Sequence, residues 1–231
     1  MADGPSQVGV AASADAETAS PGAVQTALLL AWFSPAFPVG AFAWSHGLEQ
    51  AVEAGAVEDA GALRVWTEAL LRHGTGWSDA LLLCAAWRAP DDPAPAETAA
   101  ALQPSAERRA EALALGAAFA RAVQEGWGIA AAACAYPVAV GRAGRAAGLP
   151  LGALLRAYLQ AFAAAQVSAG QRLIPIGEIE GQRTLAALAP VWDAVAEQAR
   201  AASPDDLGGA CLGADLASML HETQRTRLFR S

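Results

Sequence analysis

Apolar positions along this chain recur mostly at spacings of three and four, and β-branched residues rarely alternate with polar ones. That is the signature of amphipathic helices rather than half-buried strands. Residues 23–33, "AVQTALLLAWF", predict a first helix, which "SPAFPVG" stops because two prolines and a glycine do not continue an α-helix. Helical spacing resumes over 45–53, with Leu48 and Val52 on one face and Gly55 placed as a C-terminal cap. Asp59 can cap a helix that carries Leu63, Trp66, Leu70 and Leu71 and ends near Gly74. Further helices are predicted over 78–88, from Ser105 to Glu125, through the alanine-rich stretch from Gly126 to Ala135, briefly after Pro137, over 151–169, and over 179–200 with a bend at Pro190. "APDDPAPAE" and residues 203–213 read as surface loops, and a short helix precedes the end. The small residues of "GRAGRAAG", Gly141 to Gly148, predict close helix packing or a turn; no strand precedes them, so they do not form a dinucleotide fingerprint. The expected architecture is all-α, a single-domain bundle of about ten helices over 23–222, after a disordered leader 1–22 and before a partner-binding tail 223–231.

Composition narrows the function classes. The chain has 231 residues, is 54% hydrophobic and carries a formal charge of -8. An acidic body without a basic stripe opposes nucleic acid. All fifteen basic residues are arginine, which removes Walker-lysine and Schiff-base chemistry. Cys84, Cys134 and Cys211 are odd in number and far apart, as expected of a reducing, cytoplasmic protein without a disulfide framework. The N-terminus has neither a basic region nor a continuous apolar core, so no signal peptide or membrane anchor is expected. The seven tryptophans stand mostly at helical spacing, as core residues do, and any exposed one would mark a partner surface.

Candidate chemistry is sparse. His46, Glu49 and Glu53 fall at i, i+3 and i+7, one stripe of a helix, and could attract a cation with Asp79 as a further donor; the plainer reading is a solvated acidic face. Asp79, following Ser78, is most simply a cap or first-turn acid. No Cys-x-x-Cys or His-x-x-x-His pair exists, His73 and His221 stand alone, and Ser45 beside His46 cannot make a triad by adjacency. The ending "HETQRTRLFRS" differs from the rest: Arg225, Arg227 and Arg230 oppose the charge of the body and flank Leu228 and Phe229. Apolar anchors between guanidinium forks suit a segment that orders on a partner. Three arginines would give only about 3 kcal/mol at an anionic membrane, against an acidic body.

Two stretches together carry a resemblance. "SPAFPVGAFAWSHGLEQAVEAG" (Ser34 to Gly55) and "HETQRTRLFRS" resemble the signature and the ending of the urease accessory protein UreF family, and "GWSDALLL" and "AGQRLIPIGEIEGQR" are similar to its Asp-containing helix start and its P-x-G-Q-x-x-G-Q loop. Glu178 stands where that loop often has glutamine, and Ala41 where a second glycine is common. The resemblance implies an all-α homodimer without catalytic activity. It would bridge UreD (also called UreH) and the GTPase UreG and help deliver nickel to apo-urease. It implies no tightly bound cofactor, with nickel only in transit past Glu49 and Asp79, and partner-facing roles for Arg172, Glu178, Gln182 and the tail residues, which would order on UreD. The alternative from the residues alone is an all-α metal-dependent hydrolase using Asp79 with Glu49 and Glu53.

Overall fold

The computed structural model describes residues 14–231, and among them every regular element is helical. The helices are α1 (Ala14–Thr18), α2 (Ala23–Trp32), α3 (Leu48–Glu53), α4 (Ala60–His73), α5 (Thr75–Arg88), α6 (Ala94–Ala101), α7 (Ala106–Trp127), α8 (Tyr136–Ala146), α9 (Leu151–Leu173), α10 (Glu178–Ala201) and α11 (Leu212–His221). Of the expected leader, residues 1–13 lie outside the described part. Residues 14–18 form α1, tied down by Glu17, whose two carboxylate oxygens accept from Arg88 at 2.8 and 2.9 Å.

Several boundaries follow local chemistry. Asp59 Oδ1 accepts from the Ala62 amide at 2.8 Å to start α4, and Ser105 Oγ accepts from the Arg108 amide at 3.2 Å to start α7. Other boundaries differ from expectation. α5 begins three residues before Ser78, so Asp79 lies in its second turn and is no cap. Within "APDDPAPAE" the last four residues already belong to α6, where Pro95 is tolerated in the first turn because its missing N–H has no helical partner there. The alanine-rich stretch after Gly126 is not a helix. Gly128, at φ 66°, closes α7, and the chain then runs past the α7 backbone at Gly116, where a Cβ would overlap the Cys134 carbonyl. Ala132 and Ala133 are exposed along this stretch, so the tertiary contact at Cys134 and not local helix propensity sets its course. Pro190 lies inside α10 without ending it.

The main core cluster spans α2, α4, α5 and α7 to α10, with Trp32, Trp87, Phe119, Leu83, Leu155 and Leu159 fully enclosed. The glycines of "GRAGRAAG" do pack closely: a Cβ on Gly141 would come within 2.6 Å of the Leu83 carbonyl of α5, and one on Gly144 would strike Leu154 of α9. A smaller cluster joins Leu48, Ala51, Val57, Leu63, Ala169, Ile174 and Ala217 to Phe229 of the tail. Trp32, Trp44 and Trp87 are buried and Trp127 is exposed. No helix among the described residues is long and apolar enough to cross a membrane.

Candidate functional site

Most of the predicted site residues fall in two neighbouring places, the seat of the tail and a cavity beside it, while Glu178 and Gln182 lie apart on α10. The seat begins where the loop after α2 turns into α3. His46 has φ 57° and Gly47 has φ 79°, and a Cβ on Gly47 would sit 2.7 Å from the Ser218 amide of α11. This left-handed pair, which glycine adopts without steric cost and histidine only with strain, presses the loop onto α11. It also puts His46 outside the helix, so His46, Glu49 and Glu53 do not share a helical stripe. Glu53 is exposed, whereas Glu49 is buried in the first turn of α3.

Glu49 holds the tail. Its Oε1 accepts from the Leu228 amide at 2.6 Å, and its Oε2 accepts from the Phe229 amide at 2.9 Å and lies 3.2 Å from His221 Nε2. The other ring nitrogen of His221 is 2.6 Å from Glu107 Oε2, and Glu107 Oε1 receives Arg227. Further on, the Arg230 amide donates to the Ala43 carbonyl at 2.8 Å, and the Ser45 amide donates to the Ser231 carbonyl at 3.0 Å. Ser231 Oγ donates to Glu111 at 2.6 Å, and Glu111 also receives Arg108. Phe229 is 3% exposed beneath the Arg172 guanidinium, whose carbon is 4.1 Å from the ring centroid, and Arg230 lies over Trp44 at 5.3 Å.

The tail is therefore ordered against its own body, which corrects the expectation of a segment structured only on a partner. The physical reason is that Glu49, Ser45 and Ala43 satisfy its backbone while α3, α4 and α9 enclose its one buried anchor. Leu228, 62% exposed, and Arg225 face outward. Glu178 and Gln182 are exposed at the start of α10, and neither side chain is hydrogen bonded among the described residues. The residues missed in the sequence are Ser45, Glu107, Glu111 and His221. Glu107 in the first turn of α7 and Glu111 one turn later resemble a solvated face, and only the fold brings His221 between Glu49 and Glu107.

Asp79 lies in the second place. It lines a cavity of about 460 Å³ walled by the "SPAFPVGAFAW" loop, α7 and α9, and Glu49 is not among the lining residues. Asp79 Oδ2 accepts the Tyr158 hydroxyl at 2.6 Å. Burial pushes the carboxyl up to about 6; the Tyr158 bond and Arg108 oppose the shift and Glu111 adds to it. His46 Nδ1 is 3.0 Å from Glu111 Oε1 but not in hydrogen-bonding geometry, and burial together with Arg108 holds the imidazole well below its usual range. That contact is therefore between a neutral ring and a carboxylate. Among the described residues no cluster of three or more His, Cys, Asp or Glu side chains is arranged to hold a metal. The hydrolase arrangement of Asp79, Glu49 and Glu53 is not assembled.

The UreF family profile matches residues 57–189. The chain is 53% identical over 218 residues to the urease accessory protein UreF of Rhodopseudomonas palustris strain TIE-1, covering 88% of this chain and 91% of the relative. It is 50% identical over 205 residues to the protein of that name from Roseobacter denitrificans, covering 88% and 92%. It is 49% identical over 217 residues to that of Bradyrhizobium sp. strain BTAi1, covering 88% and 90%. A profile match over more than half of the chain, with relatives this similar along nearly their whole length, establishes that the chain belongs to the UreF family of urease accessory proteins.

Proposed function

We infer that this protein is a non-catalytic urease maturation factor. In this reading it bridges UreD and the GTPase UreG and helps deliver nickel, as cargo, to apo-urease in the cytoplasm, acting as a homodimer. The observation that carries the reading is the surface formed by α11 and the tail. Leu212, Leu216, Met219 and Leu220 are 70%, 57%, 46% and 57% exposed, at i, i+4, i+7 and i+8 on one helical face. Beside them the tail offers Leu228 and exposed arginines. Apolar anchors rimmed by guanidinium groups are what a hot-spot interface uses. Catalysis finds no comparable support, since Glu49 is consumed by the tail and Asp79 faces a separate cavity. The ordered tail alters the partner model in one respect: UreD would meet a preformed surface and would not have to fold a free strand onto itself.

The test is co-purification with UreD and UreG followed by mass measurement of the complex. Wild type is expected to recover both partners, and Leu216→Asp, a charge placed at the middle of an already exposed stripe, is expected to lose UreD while keeping the melting temperature. Undiminished recovery by Leu216→Asp would remove α11 from the interface.

A further inference from the structure

We propose that the cavity beside the tail is a binding site for a small organic monocation, an ammonium or guanidinium group on a short apolar stem, with Asp79 as its counter-ion. The cavity is the feature the accessory role leaves unexplained, and the proposal does not depend on that role.

The first observation is an uncompensated acid. Asp79 is 7% exposed, and no arginine or histidine among the described residues forms an ion pair with it; its hydrogen-bond partner is the neutral Tyr158 hydroxyl. Burying a carboxylate without a counter-charge opposes folding, so a retained one marks a place where something else can supply the charge. Inside the cavity the other charges are balanced, and Arg172, which forms no salt bridge among the described residues, stands at the rim. Arg108 pairs with Glu111, His46 is held neutral, and Arg172 at the exposed rim is turned onto the Phe229 ring. Near neutral pH the interior therefore has one surplus negative charge, that of Asp79.

The second observation is the wall. Trp32, Phe33, Tyr136, Tyr158 and Phe162 bring aromatic surface to the cavity, and Tyr136 and Tyr158 lie with ring centroids 5.5 Å apart. Aromatic faces around one carboxylate suit an organic cation, which gains from the ring quadrupoles and needs few hydrogen-bond acceptors. A bare divalent metal needs four to eight polar donors, and no such set is assembled here. A volume of about 460 Å³ is in the range of small-ligand pockets and exceeds what one metal ion needs. Exposed Phe42 and Pro35 among the lining residues give the cavity an opening to the surface.

Such a cation could be a free small molecule or the side chain of an arginine or lysine, and one titration series separates them. Butylguanidinium and N-acetyl-arginine amide are titrated into the full chain at pH 7.5 and followed by calorimetry and by the emission of Trp32 and Trp44, which line the cavity. Saturable binding of at least one probe, weakened tenfold or more in Asp79→Asn, is expected. Binding of butylguanidinium alone supports a free small-molecule cation, and binding of the capped arginine supports a side chain. Uncharged butylurea serves as a second comparison that needs no variant, and it should bind wild type at least tenfold more weakly than butylguanidinium. No binding by either cation, or equal binding of butylguanidinium and butylurea, overturns the proposal.

Discussion

Glu49 and Asp79 are both buried carboxyl groups, each 7% exposed, yet they are treated in opposite ways. Glu49 receives two backbone amides and faces the ring of His221, so its oxygens are used up by the tail. Asp79 receives one phenolic hydroxyl, and burial raises it to about 6. Equal exposure thus says little about what a buried acid does. The number and charge of its donors decide whether it fastens structure or stays available. One carboxyl is a structural receptor, and the other is a poised group in a cavity.

The larger expected effect is at the receptor. Glu49→Ala leaves the amides of Leu228 and Phe229 without their acceptor and removes one neighbour of buried His221. At about 1–3 kcal/mol for each buried group left unsatisfied, hydrogen exchange at the Phe229 amide should accelerate about 100-fold while the amides of α5 and α9 stay protected. Unchanged exchange at Phe229 would mean that Ser45, Ala43 and the Arg172 contact hold the tail without Glu49.

Asp79→Asn should act in the other direction and by no more than a comparable amount. An acid raised from 3.8 to about 6 by folding binds more protons in the native state over that interval, so stability falls as pH rises from about 4 to about 6 and then levels off. The difference corresponds to a cost of about 3 kcal/mol or less at pH 7.5. Asparagine keeps an acceptor for Tyr158 and abolishes this titration. Denaturant unfolding should find the variant more stable than wild type at pH 7.5 and close to it at pH 4. An equal advantage at both values would show that charge is not the cause.

The sequence revealed unequal parts of this picture. Helix periodicity, the caps at Asp59 and Ser105 and the close glycine packing of α8 were legible because each is local. Asp79 was misplaced because "GTGW" looks like a break, whereas tertiary packing carries α5 back to Thr75. The tail could be recognised as a docking segment from its anchors. That its first surface is its own body was not legible, since Ser45, Glu107, Glu111 and His221 meet it across separations of more than a hundred residues or join it through the fold. The cavity left no trace in the pattern beyond an acid followed by apolar residues.

The central claim, that the protein serves urease maturation through partners and not through its own catalysis, is tested most directly by the nickel content of urease. Urease would be purified from cells that lack this chain, contain it, or contain Leu216→Asp, with UreD and UreG present throughout. The expected result is nickel-replete urease only with the wild-type chain and nickel-poor urease in the other two. Equal nickel per urease active site in all three would contradict the account.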